Sequence, residues 1–515
     1  MNRYPLGIQT FEKIREENLF YVDKTDLIYN IAKGSQNNFL SRPRRFGKSL
    51  LVTTMQAYFE GKKDLFKGLA IEKLEKEWVK YPVIHIDLSS GKYYEVQRIM
   101  STLDFLLSRY ELNYDITPRD LSGFGDRFNN IIQTAAAQTG QKVVVLIDEY
   151  DAPMLDSNAK PELQEQIRSI MRDFFSPLKA NEGLLRFVFL TGITKFSQLS
   201  IFSELNNIKN YSLDDEFGAI CGFTQEEILR TFHEGIHEMA KANDLTTEQT
   251  VAKMKEQYDG YRFTPHCPNI YNPYSVLNAL HDKKFSNYWF ATGTPTFLLE
   301  LLIKNDIEMP QLEGIVATED QFDSPTDNIG NPIPVLYQSG YLTIKDYDEG
   351  IYTLGYPNEE VRMGLNRSML NYIAPQYGLK TTAFAAQFRA AMRKDDIDTA
   401  MKVLQSFLAA FPYDIHHNRE DYFQAILFTI FITLGFTIHA EVKTARGRID
   451  LLISTKTTIF VMELKIDQSA EKAMEQIDAK DYTLPYKHDG RRIFKVGVNF
   501  STEKRTVDEW RYEEA

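Results

Sequence analysis

The run Ser41-Arg-Pro-Arg-Arg-Phe-Gly-Lys-Ser49 sets a glycine, a lysine and a hydroxyl side by side, behind three arginines. The phosphate-binding pattern G-x-x-x-x-G-K-[ST] asks for that order. Gly47, Lys48 and Ser49 fit it, and Arg42 stands where the first glycine would be. Gly47 lets the backbone approach a phosphate, Lys48 reaches the β and γ oxygens, and Ser49 offers a hydroxyl to Mg²⁺. A helix starting there would aim its N–H groups and positive dipole end at the anion. Arg42, Arg44 and Arg45 add positive charge. The expected nucleotide contacts are Arg44, Arg45, Phe46, Gly47, Lys48, Ser49 and Leu50. The plain alternative is a basic turn closed by a glycine.

A second segment bears on that choice. Val143-Val-Val-Leu-Ile-Asp148-Glu149 is an apolar strand ending in two carboxylates. At the end of a buried strand, Asp148 can hold the Mg²⁺ shell and Glu149 can polarise the attacking water of a phosphoryl transfer. A solvated strand end is the bland reading. Leu190-Thr191-Gly192-Ile-Thr194 ends the next apolar run in hydroxyls. Thr191 is placed where a γ-phosphate sensor would sit, with a helix cap as the equal alternative.

A third constellation lies near the C-terminus. Arg446-Gly-Arg-Ile-Asp450 leads into one strand, and Ile459-Phe-Val-Met-Glu463-Leu-Lys465 forms the next. Side chains alternate along a strand, so Glu463 and Lys465 share a face. Asp450 comes close to Glu463 if the two strands form a hairpin. Two carboxylates with the Leu464 carbonyl make a hard oxygen set suited to Mg²⁺ or Mn²⁺. Lys465 can then orient or help deprotonate the water that attacks a phosphodiester. The competing reading is an exposed Glu/Lys pair on an edge strand. Glu420 or Glu441 can complete the metal site, and Gln476 and Tyr482 either contact a nucleic-acid backbone or lie on the surface.

These residues need particular elements to position them. Asn38–Leu40, Val83–Leu88, Val143–Ile147, Leu184–Leu190 and Asn210–Leu213 read as strands. Ser49–Glu60, Phe124–Thr139 and Glu162–Phe175 read as helices. That alternation predicts an α/β domain. From Thr224 the pattern turns helical, and Thr224 to Glu227 has capping-box spacing. Pro332–Leu354 reads as a helix (Val335–Ser339), a break at Gly340, and strands Tyr341–Lys345 and Ile351–Leu354 around a turn, a winged-helix-like order. The last block reads as helices from Thr381 to Phe411 and Arg419–Leu434. Strands Thr437–Glu441, Arg448–Ile453, Thr458–Ile466 and Ile493–Asn499 follow, with a helix at Ser469–Asp478.

At 515 residues the chain exceeds one hydrophobic core. With 43% hydrophobic and 25% charged residues it has a globular rather than disordered composition. The net charge of −12 argues against general attraction to nucleic acid, so any such site must be a local basic patch. Cys221 and Cys267 make no disulfide framework, which suits a reducing compartment. The segment Met1–Phe11 has no apolar stretch of the secretory kind. A cytoplasmic protein is the expectation. Tyr422–Ala440 carries no charge and approaches spanning length, but Gln424, Gly435 and its threonines interrupt it. It reads as a buried helix, a turn and a strand, and no membrane partner is expected.

Phe20-Tyr-Val-Asp-Lys-Thr25, Arg42–Ser49, Ile147-Asp-Glu-Tyr-Asp151, Thr191-Gly192, Cys221-Gly-Phe-Thr224 and Tyr258-Asp-Gly-Tyr-Arg-Phe263 together resemble the AAA-ATPase-like family common in bacterial genomes. Arg446–Asp450 with Glu463-Leu-Lys465 and Gln476 resembles its usual C-terminal partner, a PD-(D/E)XK nuclease-superfamily domain. The resemblance implies a P-loop NTPase domain (1–220), a helical and winged-helix-like middle region (221–375) and a PD-(D/E)XK α/β domain (380–515). It implies ATP and Mg²⁺ at Lys48, Ser49 and Asp148, with Glu149 hydrolytic, and a nuclease metal site at Asp450 and Glu463 beside Lys465. Arg262 would be a sensor, a finger or a structural arginine.

Three functions follow in order of expectation. The first is an ATP-regulated nuclease acting on DNA or RNA. The second is a signalling ATPase switch whose C-terminal domain binds nucleic acid or a protein without cutting. The third is a DNA-binding regulator using Pro332–Leu354, weakened by its one lysine against Asp346, Asp348 and Glu349. An oligomer is compatible with all three.

Overall fold

The computed structural model describes the chain except for residues 1–2, 90, 117–122, 158–159, 196–207, 290–295, 306, 308, 325–330, 374–377, 410–426, 428–429, 431–436, 445, 456 and 505. It divides into two compact units. One comprises Met1–Thr292 with Gly314–Glu360, the other Gly293–Glu313 with Val361–Ala515.

The first unit is built on a parallel sheet. Its strands are β1 (Asn37–Ser41), β2 (Val83–Asp87), β3 (Val143–Asp148), β4 (Leu185–Gly192) and β5 (Ile208–Asn210), in the order β2-β3-β4-β1-β5. Parallel strands covered on both faces need continuous apolar runs, and all six residues of β3 are buried. Val143, Val145 and Ile147 pack with Ile99 and Leu103, Phe128 and Ile132, and Ile167 and Met171 from three covering helices. Those helices are α2 (Val96–Asn113), α3 (Phe124–Thr139) and α4 (Pro161–Phe175). The alternate residues, Val144, Leu146 and finally Asp148, face the other side. There α1 (Lys48–Phe59) packs against β3. The period of the strand thus turns Asp148 toward the start of the helix that follows the phosphate-binding segment. β5 ends at Asn210, three residues short of the expected Leu213.

Four helices follow, α5 (Gln225–Thr231), α6 (His233–Ala242), α7 (Thr247–Tyr258) and α8 (Pro273–Asp282). The expected capping box forms. Glu227 N–H donates to Thr224 Oγ1 at 3.3 Å and Thr224 N–H to Glu227 Oε2 at 2.8 Å. The winged-helix-like order also forms, from helix α9 (Ile333–Gln338) and strands β7 (Thr343–Asp348) and β8 (Ile351–Gly355). A third strand absent from the sequence reading, β6 (Ile315–Ala317), pairs antiparallel with β8.

The second unit holds helices α10 (Gly378–Met392) and α11 (Ile397–Leu408) and a sheet of five strands in sequence order. These are β9 (Thr437–Thr444), β10 (Gly447–Ser454), β11 (Thr458–Ile466), β12 (Arg492–Ser501) and β13 (Thr506–Glu514). Only β11 and β12 are parallel, and α12 (Ala470–Ala479) joins them and packs on both. The expected helix Arg419–Leu434 lies outside the described residues apart from Leu427 and Ile430, and Tyr422–Ala440 lies largely outside them. Among the described residues no helix is long and apolar enough to cross a membrane.

Candidate nucleotide and phosphodiester sites

β1 ends at Ser41 and α1 begins at Lys48, so residues 42–47 form the loop between strand and helix. Gly47 caps the helix at φ +92°, a torsion open to glycine at little cost. Lys48 is 3% exposed, and its ammonium donates to the Pro43 carbonyl at 3.3 Å and lies 3.3 Å from Glu149 Oε1. The loop, the first turn of α1 and Glu149 line a cavity of about 490 Å³.

Glu149, just past β3, lines the cavity, while Asp148, the last residue of β3, does not and is 2% exposed. Burial pushes the Asp148 carboxyl up to about 7; the Ser49 hydroxyl and Lys48 oppose that shift, and Glu149 and Asp87 add to it. Asp87 ends β2 directly beside Asp148 in register and escaped the sequence reading. Glu149 is held at φ +50°, with its N–H on Asp148 Oδ1 at 3.0 Å. Asp151 Oδ2, fully buried, accepts from Ile193 N–H (3.0 Å), Thr194 N–H (2.7 Å) and Thr194 Oγ1 (2.8 Å), locking the end of β4 to the turn after β3.

Ser49, Asp148, Glu149 and Lys48 are therefore brought together, and Arg44, Arg45, Phe46 and Leu50 border the same cavity. Thr191 is not. Its buried hydroxyl donates to the Leu40 carbonyl at 2.7 Å, tying β4 to β1. Arg42 also departs from expectation. It is 2% exposed and does not line the cavity. Arg262 reaches the Lys345 carbonyl at 3.2 Å and holds β7. The sequence reading missed the apolar half of the cavity, including Leu6, Ile8, Val22, Phe223 and Leu277. Its signal was present in the Phe20–Thr25 and Cys221–Thr224 motifs, which carried no assigned role.

In the second unit, Asp450 and Glu463 sit one step beyond the paired run of β10 and β11, which ends at Leu451 opposite Met462. Asp450 Oδ2 accepts from Leu464 N–H at 2.8 Å. Lys465 Nζ donates to Glu463 Oε1 at 3.2 Å and to the Leu464 carbonyl at 3.0 Å. Glu463 is 1% exposed, which excludes the exposed edge-pair reading. Glu441 lies on β9 between the pairs Ala440 with Leu451 and Val442 with Ile449, hence opposite Asp450. Glu420 lies outside the described residues. Tyr482 is neither a surface residue nor a backbone contact for nucleic acid. It is buried in the core with Ile449 and Ile477, and its hydroxyl accepts from Arg448 N–H at 3.1 Å. Gln476 lies half-buried on α12.

The first unit thus carries a P-loop nucleotide fold and the second a PD-(D/E)XK-type sheet. Residues 5–202 match the AAA-ATPase-like family, described as a predicted AAA-ATPase, and residues 418–510 match the PD-(D/E)XK nuclease superfamily. A protein described as an uncharacterized protein in the vnfD 5′ region of Azotobacter chroococcum mcd 1 is 32% identical over 519 residues, covering 98% of each chain. The chain belongs to this family of AAA-ATPase-like proteins with a C-terminal PD-(D/E)XK domain. Solved structures with some likeness include Cdc6p from Pyrobaculum aerophilum (10% identity, 70% of this chain and 94% of that one, TM-score 0.24). The Aeropyrum pernix ORC1 protein in complex with DNA is another (10% identity, 67% and 91%, TM-score 0.25).

Proposed function

We propose that this chain is an ATP-hydrolysing protein whose nucleotide state gates a metal-dependent phosphodiesterase acting on DNA or RNA. The observation that supports the reading is that one chain carries two clusters of side chains suited to phosphate chemistry. One is Lys48, Ser49, Asp148 and Glu149; the other is Asp450, Glu463 and Lys465.

At the first site Lys48 would neutralise the β and γ phosphates, and Glu149 would orient the attacking water. Ser49 and Asp148 would hold Mg²⁺, and their hydroxyl and carboxylate oxygens are of the hard type that ion takes. At the second site Asp450, Glu463 and the Leu464 carbonyl would hold Mg²⁺ or Mn²⁺. The fit is supported by the Lys465 ammonium, a cation already bonded to two of those three groups. A bound divalent ion supplies charge stabilisation to the phosphoryl centre. Lys465, 12% exposed, would then turn from Glu463 and orient the attacking water by donating to it.

The net charge of −12 favours a second reading, a nucleotide switch whose C-terminal domain binds without cutting. One assay separates them. The purified chain is incubated with single- and double-stranded DNA and RNA, Mg²⁺ or Mn²⁺, with and without ATP, beside Lys48→Ala and Asp450→Ala. Cleavage that disappears in Asp450→Ala, and responds to ATP only when Lys48 is present, establishes the gated nuclease. ATP binding without cleavage of any substrate selects the switch.

A further inference from the structure

The loop that meets the phosphates is held by residues that lie far from it in sequence. The Arg42 guanidinium donates to the carbonyls of Ser41 and Ser212, both at 2.9 Å, and of Phe217 at 3.1 Å. Its face lies 4.4 Å from the Phe263 ring centroid. Pro43 packs so closely on Gly340 that a Cβ at 340 would fall 2.7 Å from the Pro43 Cβ. The Arg44 carbonyl accepts from Trp289 Nε1 at 3.2 Å, and Arg45 lies over Tyr274 at 4.8 Å. Phe46 is buried edge-to-face against Tyr261 (4.7 Å) and Phe263 (5.3 Å), and its carbonyl accepts from Gly222 N–H at 3.1 Å.

A second link runs from the end of β4. Lys195 forms an ion pair with Asp323, and its N–H donates to Gln338 Oε1 at 2.7 Å. Asp323 and Gln338 share a small buried cleft with Arg42. Asp323 pairs with Lys195, just past β4, and its field also reaches the Arg42 guanidinium of the phosphate loop without an ion pair to it.

An ordinary phosphate loop takes its shape from glycine torsions. Here the backbone at residue 42 does not enter the left-handed region, so a side chain is tolerated there. That side chain supplies a planar fork of donors that fixes the neighbouring carbonyls. Burying a guanidinium is costly unless its donors are satisfied. Carbonyls of 41, 212 and 217 take the Nη donors and the ring of Phe263 covers the face, while Nε has no partner among the described residues. Most of the fork is thus tied to these groups, and the loop cannot relax without disturbing them.

We infer that Arg42 is a positioning residue for the nucleotide site. It braces the phosphate loop against Ser212, Phe217 and the Tyr258–Phe263 motif, and so couples nucleotide binding to the packing of that motif and of α9. The inference rests on the proposed nucleotide site, but the brace has its own readout.

The test uses the full chain and its Arg42→Gly, Arg42→Lys and Phe263→Leu variants. Affinity for Mg²⁺ with a fluorescent ATP analogue is titrated, and amide exchange is followed by mass spectrometry with and without ATP. Arg42→Gly, although it restores the usual glycine, is expected to weaken binding about tenfold. Arg42→Lys should recover part of that loss, because it keeps the charge but not the fork. Without nucleotide, amides 44–47 should exchange faster in Arg42→Gly while β3 stays protected. With ATP, the parent should gain protection at 258–263 and 333–343, and the variant should not. Binding by Arg42→Gly within about twofold of the parent, with amides 44–47 still protected, overturns the brace. If Arg42→Gly does not fold, Phe263→Leu decides by the same two measurements. A parent chain that binds no ATP defeats the nucleotide reading, and the nucleotide-free exchange then judges the brace alone.

Discussion

Lys48 Nζ lies 3.3 Å from Glu149 Oε1, so the cation proposed for the phosphates and the carboxylate proposed for the water are ion-pair partners. A nucleotide's phosphates would compete with Glu149 for Lys48 and release the carboxylate as they bind. Glu149→Gln should therefore slow ATP hydrolysis by about 10²–10⁴-fold, the range of a positioned general base. It should leave ATP affinity equal or higher, because Lys48 loses its competitor. Lys48→Ala should lose affinity instead. Phosphate release and nucleotide titration check both, and an unchanged hydrolysis rate in Glu149→Gln removes that residue from the chemistry.

Asp148 should make the proposed nucleotide site pH-dependent. Its carboxyl is raised by burial from 3.8 to about 7, so between those values the folded chain holds a proton that the unfolded chain has released. Folding stability from this group is therefore greatest at low pH and declines as pH rises toward 7. Metal binding needs the ionised form, so Mg²⁺-dependent ATP affinity should do the opposite and strengthen as pH rises through about 7. Asp148→Asn should abolish that rise and stabilise the nucleotide-free chain at pH 8 by about 0.5–2 kcal/mol, the usual scale for relieving a functional site. A pH-independent affinity in the parent would show that Asp148 does not titrate with binding.

Legibility in the sequence followed the source of each element's stability. The six-residue run at β3 and the helix Phe124–Thr139 were readable because local pattern and burial agree. The helix Val96–Asn113 was missed although Ile99, Leu103, Leu106, Leu107 and Tyr110 form a buried stripe, because Phe105 (66% exposed) and Leu112 (79% exposed) put apolar residues on the opposite face and blur the pattern. The strand Thr506–Glu514 was missed because it is an edge strand with four acids and an arginine, formed through backbone pairing with β12. The motif residues Lys48, Ser49, Asp148 and Glu149 announce themselves by spacing. Arg42 does not, because its partners lie 170 and 175 residues away. Nor does Tyr482, whose hydroxyl serves a backbone N–H 34 residues back.

That Tyr482 contact sets the start of β10, two residues ahead of Asp450. Tyr482→Phe keeps the ring in the core and removes one buried hydrogen bond, at an expected cost of about 0.5–1.5 kcal/mol. If the contact also aligns Asp450, nuclease activity should fall further than stability does, with substrate affinity nearly unchanged. Thermal unfolding and cleavage kinetics separate the two effects. Equal activity in the variant and the parent would reduce Tyr482 to a core residue.

Lys465 and Glu463 offer the sharpest test of the second site. Glu463 is 1% exposed with Lys465 as an ion-pair partner, and removing one member of a buried pair destabilises strongly. Lys465→Ala should cost about 2–4 kcal/mol in metal-free buffer. A divalent ion bound by Asp450, Glu463 and the Leu464 carbonyl would replace the missing positive charge. Mn²⁺, or Ca²⁺ to exclude turnover, should then raise the melting temperature of Lys465→Ala more than that of the parent, since only the variant lacks an internal cation. Ligand binding at about 100 times its Kd contributes about 2.7 kcal/mol, enough to restore much of the loss. Asp450→Ala combined with Lys465→Ala should show no such rescue. Rescue of equal size in parent, single and double variants would mean that the ions act elsewhere, and the carboxylates at 450 and 463 would then have no claim to a metal.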